Sequence, residues 1–211
     1  MSRYHVKEAF YTLQGEGYHA GAAAVFVRFA GCNLWSGHAK DRERDGGCAR
    51  WCDTDFVGTD GVNGGTFTAD ELAALVSSLW PNCVGRMAVL TGGEPTLQVD
   101  AALVSALHAE GFAIHMETNG TRPVAAGVDW VTVSPKPPSM PIAQRYDEVK
   151  VIFDGSDVER WKRLAPRRSL QPLWSPDPDK RAENIAACVA YVLAHPWWRL
   201  SCQTHKALGV P

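Results

Sequence analysis

Along the chain, stretches of alternating apolar and polar positions give way repeatedly to helical periodicity. Tyr4 to Leu13 and Ala22 to Ala30 are rich in Val, Phe and Tyr and predict two strands. The polar stretch Ser36 to Gly47 predicts a loop or a short helix. Thr68-Ala69-Asp70-Glu71 has the spacing of a capping box, in which hydroxyl and carboxylate satisfy reciprocal backbone donors, and it opens an amphipathic run to Trp80. A strand over Arg86 to Leu90 ends in Thr91-Gly92-Gly93-Glu94-Pro95, and a helix from Asp100 to Glu110 stops at Gly111. Short apolar runs at Phe112 to Glu117, Trp130 to Ser134, Glu148 to Phe153, Ser169 to Leu173 and Arg199 to Cys202 predict further strands. Helices are predicted over Asp157 to Leu164 and Arg181 to Ala194.

Strands alternating with helices predict an α/β fold with a mainly parallel sheet, whose ligands sit at the carboxyl ends of the strands. Thr91 to Glu94, Glu117 to Asn119, Ser134 to Lys136 and the segment from Gln171 onward fall at those ends. The chain has 211 residues, short of the roughly 250 of a complete eight-unit barrel, so a pared-down version is expected. Lys plus Arg total 21 against 23 Asp plus Glu, which gives no reason to expect a nucleic-acid or anionic-membrane surface. The apolar run Ala20 to Val27 stops at Arg28 and is too short to span a bilayer. With no apolar export core after Met1, a cytoplasmic protein is expected.

Cysteine usage sharpens the picture. Cys32, Cys48 and Cys52 are clustered, whereas Cys83, Cys188 and Cys202 fall in segments that read as ordinary core. Three thiolates are one short of the usual complement of a structural zinc site or a cubane cluster. A four-iron cluster on three cysteines leaves one iron open to a small molecule, while a zinc site could recruit His38. Zinc leaves the glycine-rich and carboxylate motifs downstream unexplained.

Six motifs occur in order: Gly-Cys-Asn-Leu-Trp-Ser-Gly (31–37), Trp-Cys-Asp-Thr-Asp-Phe (51–56), Thr-Gly-Gly-Glu-Pro (91–95), Glu-Thr-Asn-Gly (117–120), Val-Ser-Pro-Lys (133–136) and Gln-Thr-His-Lys (203–206). Together they resemble the radical S-adenosylmethionine enzymes, in particular the 7-carboxy-7-deazaguanine synthase family of queuosine and 7-deazapurine biosynthesis. The resemblance is to its short form, with a long insert between the first two cluster cysteines, and runs from Tyr11 to Pro211. It implies one domain over 1–211, an incomplete (β/α) barrel, with a cluster-binding insert at 32–52 and a substrate-closing tail at 203–211. Fifteen residues separate Cys32 from Cys48 and three separate Cys48 from Cys52, each spacing longer than the family's usual one.

The resemblance also implies roles. Cys32, Cys48 and Cys52 would hold a [4Fe-4S] cluster. S-adenosylmethionine would lie against Trp51, Cys52, Asp53, Gly92, Gly93, Glu117, Ser134, Pro135, Lys136, Gln171, Pro172, Leu173 and Trp174. Glycines at 92 and 93 would admit the methionine amino group to the backbone, since a Cβ bars such close approach. Thr54 would touch a magnesium ion, a cation that prefers oxygen ligands. The implied substrate, 6-carboxytetrahydropterin, would meet Leu13, Gln14, Gly15, Glu16, Arg28, Thr91, His205 and the Pro211 carboxylate. Arg28 interrupts an apolar strand, and its planar fork suits both oxygens of a carboxylate; a surface salt bridge is the plainer reading. The implied reaction removes hydrogen from C6, contracts the ring and expels ammonia, with no acid–base pair evident. An electron donor such as flavodoxin and a homodimer are implied, and neither nucleic acid nor membrane. A glycyl-radical activating enzyme and a non-catalytic zinc or iron–sulfur module are the alternatives.

Overall fold

The computed structural model describes residues 2–45 and 47–211. β1 (Tyr4–Leu13) and β2 (Ala23–Phe29) form an antiparallel hairpin, and β3 (Gly65–Phe67) pairs antiparallel with the other side of β1. From β2 the sheet continues in parallel through β4 (Met87–Gly92), β5 (Ala113–Thr118), β6 (Trp130–Val133), β7 (Glu148–Phe153), β8 (Arg167–Pro172) and β9 (Arg199–Leu200). The order is β3-β1-β2-β4-β5-β6-β7-β8-β9, nine strands that do not close on themselves among the described residues. This is the incomplete barrel expected from the motifs. β3 escaped the sequence pattern because three residues beginning with Gly65 carry no readable alternation.

The helices are α1 (Arg42–Asp45), α2 (Ala69–Leu79), α3 (Ala101–Ala109), α4 (Pro178–Ala194) and α5 (Thr204–Leu208). The capping box forms at α2, with Glu71 N–H donating to Thr68 Oγ1 and Thr68 N–H to Glu71 Oε2. Asp100 caps α3 through the N–H groups of Ala102 and Leu103. α4 begins before Arg181 because Asp177 caps it and Pro178, whose missing N–H is harmless there, occupies its first turn. The helix predicted over Asp157 to Leu164 is reduced to a 3-10 turn, Glu159–Trp161. Val158 and Trp161 are buried, and Pro166 disfavours the α conformation at Ala165, so tertiary packing fixes a turn.

Successive strand residues face opposite sides of the sheet. On the outer side Ile114, Met116, Val131, Val133, Val149, Val151 and Leu170 pack with Leu72, Val76, Leu103, Leu107, Trp161, Cys188 and Trp198 into the core. The alternate positions, Glu117, Thr132, Ser134, Glu148, Lys150, Ser169 and Gln171, make the inner face polar and carry the site. Cys83 and Cys202, expected in the core, are exposed, since they lie in connecting loops rather than within the elements beside them. Among the described residues no helix is long and apolar enough to cross a membrane.

Candidate active site

The polar inner face opens into two adjoining cavities. One, of about 160 Å³, is lined by Cys32, Cys48, Cys52, Trp51, Asp53, Thr54, Gly92, Gly93, Glu117, Ser134, Lys136 and Gln171. The three cysteines are free thiols in an apolar cluster with Leu34, Trp35, Trp51 and Phe56. Arg42 closes the loop that carries two of them: its Nη1 donates to the carbonyls of Ala49 and Cys52, and its guanidinium lies 4.8 Å from the Trp35 ring centre. Burial pushes the Cys48 thiol up to about 11 and moves Cys32 the same way. Thiolates here therefore need a compensating positive centre, which a metal cluster provides. Among the described residues no three His, Cys, Asp or Glu side chains converge on a single metal ion, and His38 lies outside the cavity. The cavity thus brings three soft thiol ligands to one wall, a donor set of the kind that an iron–sulfur cluster takes.

The glycines have a structural reason beyond the ligand approach expected of them. Gly93 N–H donates to Phe29 O (3.2 Å) and Glu94 N–H to Gly31 O (2.9 Å), so the end of β4 lies against the chain entering Cys32. A Cβ on Gly92 would sit 2.3 Å from Phe29 O, and one on Gly93 2.0 Å from Gly31 O. Glu94 is fully buried and accepts from Thr96 N–H, Thr96 Oγ1, Thr118 Oγ1 and Asn119 N–H. Asn119 Nδ2 in turn donates to Asn33 Oδ1 (2.9 Å), beside Cys32. Glycine loop, β5 terminus and first cysteine are therefore one unit.

A second cavity, of about 340 Å³, is lined by Glu8, Phe10 and Thr12 from one face of β1, by Phe26 and Arg28 of β2, and by Thr91. Leu13 to Glu16, Asp53 to Asp55, Glu117, Gln203, His205, Lys206 and Pro211 complete it. Arg28 does form the ion pair that its plainer reading anticipated, Nε to Glu8 Oε1 at 2.8 Å, yet inside this cavity rather than on the outer surface. The 203–211 segment docks on the β1–β2 turn: Thr204 N–H and Oγ1 both donate to Gly15 O at 3.0 Å, and a Cβ on Gly15 would meet His205 Nδ1 at 2.1 Å. Thr12 Oγ1 donates to Pro211 O at 2.9 Å. Burial lowers the His205 pKa, favouring neutral imidazole. Lys206 pairs with Asp53 and lies 4.1 Å from the Trp174 ring centre.

Lys150 stands where the cavities meet, on the wall of the first, contacting Glu117 Oε2 at 2.7 Å and Glu16 Oε2. Gln14 Nε2 donates to Glu117 Oε1 and Gln203 Nε2 to Glu16 Oε1, each at 3.0 Å. Of the residues singled out in the sequence, Pro135 is buried and lines neither cavity. Pro172, Leu173 and Trp174 line a third hollow of about 650 Å³ with Arg181 and Ile185, which adjoins the others at Gln203. Sequence reasoning missed Glu8, Thr12, Arg42 and Lys150, and it quoted Asn119 and Lys206 within its motifs without giving either a role. Lys150 carried a usable signal, a cation within the apolar run Glu148 to Phe153, as Arg28 is in its own strand.

No family model matches the chain. A 7-carboxy-7-deazaguanine synthase of Caulobacter vibrioides is 53% identical over 213 residues, covering 99% of each chain. That of Bradyrhizobium diazoefficiens is 53% identical over 212 residues, covering 98% of this chain and 99% of its own. A crystal structure of QueE from Escherichia coli superposes with a TM-score of 0.69 at 28% identity, covering 95% of this chain and 93% of that one.

Proposed function

The chain belongs to the 7-carboxy-7-deazaguanine synthase family, radical S-adenosylmethionine lyases of queuosine biosynthesis, and from that premise we propose an occupant for each cavity. The cysteine-lined cavity takes a [4Fe-4S] cluster with S-adenosylmethionine, and the Arg28-lined cavity takes 6-carboxytetrahydropterin. The observation that supports this is their shared wall: Glu16, Asp53, Thr54, Thr91, Glu117 and Gln203 line both. A reacting atom in one is thereby held within reach of a C–H bond in the other. When bound, cluster and S-adenosylmethionine supply an electron and a carbon-centred radical that takes a hydrogen atom.

The chain's own part is placement. Lys136 is a partly buried ammonium whose pKa desolvation lowers, with Ser134 Oγ at 2.6 Å and the Trp51 ring centre 5.1 Å away. A carboxylate brought into this cavity gives it a counter-charge, so the methionine end is assigned there. Glu117, fixed by Gln14 and Lys150, keeps lone pairs for ribose hydroxyls. Gln171 and the hollow beside Trp174 take the adenine end. In the second cavity Arg28 receives the substrate carboxylate, and the 13–16 segment, Thr91, His205 and Pro211 frame the ring. Thr54 lies between Asp53 and Asp55 on the same wall, an oxygen-rich stretch that suits magnesium shared with substrate oxygens. An external electron donor such as flavodoxin and a homodimeric assembly complete the proposal.

The test is anaerobic purification with iron and sulfide analysis, followed by assay with S-adenosylmethionine, reductant and carboxytetrahydropterin. Equal iron and sulfide, with appearance of the deazaguanine, is the expected result. Zinc without sulfide would overturn the assignment of the cysteine cavity.

A further inference from the structure

β1 and β2 pair in plain register from Leu13↔Ala23 to Glu8↔Arg28 and then slip, because Val6 rather than Lys7 faces Phe29. Lys7 is thus the extra residue of a β-bulge, a feature that bends a strand and re-aims the adjoining side chains. The bulge is held from outside. Gly61 N–H donates to Lys7 O and Ala9 N–H to Val62 O, both at 2.9 Å, while Lys7 Nζ binds Val57 O, Asp55 and Asp60. Immediately after it, Glu8 lies directly opposite Arg28, and both side chains line the substrate cavity.

The contact between them is specific to one edge of the guanidinium. Arg28 Nε donates to Glu8 Oε1 at 2.8 Å, and the two terminal nitrogens have no protein partner among the described residues. A guanidinium is planar with its donors in a fixed fork, so holding Nε sets the direction of the remaining N–H groups. We propose that Glu8 is a positioning residue for the substrate: it holds Arg28 Nε so that the terminal nitrogens form a ready two-pronged seat for the substrate carboxylate. The inference rests on the assignment of that carboxylate to Arg28. Charge alone argues for the opposite effect, because Glu8 repels a second carboxylate and competes with it for Arg28. Removing Glu8 therefore discriminates between orientation and bulk electrostatics by its sign.

The experiment is steady-state kinetics on the reconstituted enzyme with varied carboxytetrahydropterin. Glu8→Ala, and Glu8→Met as a variant of similar length lacking an acceptor, are each expected to raise KM about tenfold with kcat held within about twofold, the pattern of lost uniform binding. Glu8→Gln, which retains an acceptor oxygen for Nε, is expected to fall between them and the wild type. In an Arg28→Ala background, Glu8→Ala should no longer raise KM, because with Arg28 gone there is no guanidinium left to position and only the repulsion is removed. Thermal melts confirm that each variant is folded. An unchanged or lowered KM for the folded Glu8 variants, or an additive effect in the Arg28→Ala background, overturns the proposal. If Arg28→Ala itself leaves KM unaltered, it is the carboxylate assignment that fails.

Discussion

Lys150 Nζ stands 2.7 Å from Glu117 Oε2 at the junction of the two cavities, and its second partner is Glu16. Burial works against the ammonium, but the two carboxylates outweigh it and raise its pKa. Burial alone would raise the Glu16 carboxyl, yet the charge and hydrogen bond of Lys150 bring it down to about 2. Lys150 and Glu16 are thus held as an ion pair, with Glu117 hydrogen-bonded to the same ammonium, between the strand ends that approach both ligands. The energetic signature of this triad is asymmetric, since a buried pair adds little stability but breaking it strands a charge. Lys150→Met is expected to cost about 3–5 kcal/mol in urea denaturation. Adding Glu16→Gln and Glu117→Gln should recover much of that loss. A Lys150→Met protein as stable as wild type would mean that the triad is not desolvated.

Gly93→Ala places a methyl group where Gly31 O would be 2.0 Å away. The obstruction is backbone, which cannot rotate aside, so the end of β4 and the loop into Cys32 must separate. Iron retained per chain after anaerobic reconstitution is expected to fall severalfold, with S-adenosylmethionine binding lost alongside it. Undiminished iron content would show that this contact does not set the position of Cys32.

Glu159 gathers donors from three directions: the indole N–H groups of Trp198 (2.9 Å) and Trp197 (3.1 Å), the Tyr191 hydroxyl and Lys162 Nζ. Led by the Trp198 bond, these hold its pKa at about 2 against an ordinary 4.5. A carboxyl depressed in the fold stabilises above its unfolded pKa and loses that contribution as pH falls through its folded one. Glu159→Gln should therefore melt about 3 °C below wild type at pH 7, with the gap closing as pH falls from 4.5 towards 2. A pH-independent gap would assign the loss to packing.

The same residue explains one failure of sequence reasoning. The 157–164 segment has helical composition, but the position of Glu159 is decided by two indoles nearly forty residues away, which no local pattern reports. By contrast the Thr68–Glu71 capping box is a local device, and it forms as its spacing predicts. Within the site, Arg28 and Lys150 were equally legible as cations interrupting apolar strands. Glu8 was not, because the polar pair Lys7-Glu8 between Val6 and Ala9 does not say which of the two leaves the ladder, and the bulge at Lys7 is set by contacts with residues 57–62. Arg42 was hidden differently, as one charge among many in a polar loop whose fold depends on the carbonyls of Ala49 and Cys52.

Glu94 allows a prediction of similar specificity from hydrogen-bond polarity alone. Its Oε1 accepts from Thr96 N–H (3.1 Å), Thr96 Oγ1 (2.6 Å) and Thr118 Oγ1 (2.7 Å), while Oε2 accepts from Asn119 N–H (2.8 Å). Both oxygens therefore face donors, and both backbone N–H groups are fixed in direction. Glutamine at this position has the same shape but must turn its NH₂ towards one side or the other, setting donor against donor in a fully buried site. The lesser conflict puts the NH₂ at Asn119, whose side chain carries Asn33 and hence the approach to Cys32. Glu94→Gln is expected to lose about 2–3 kcal/mol in denaturant unfolding of the metal-free protein, the scale of a charge-assisted bond replaced by an unsatisfied group. The reconstituted variant should also give up its iron to a chelator faster than wild type, since Asn119 no longer anchors Asn33. Wild-type stability with wild-type iron release would show that the carboxylate is not required as an acceptor on both edges.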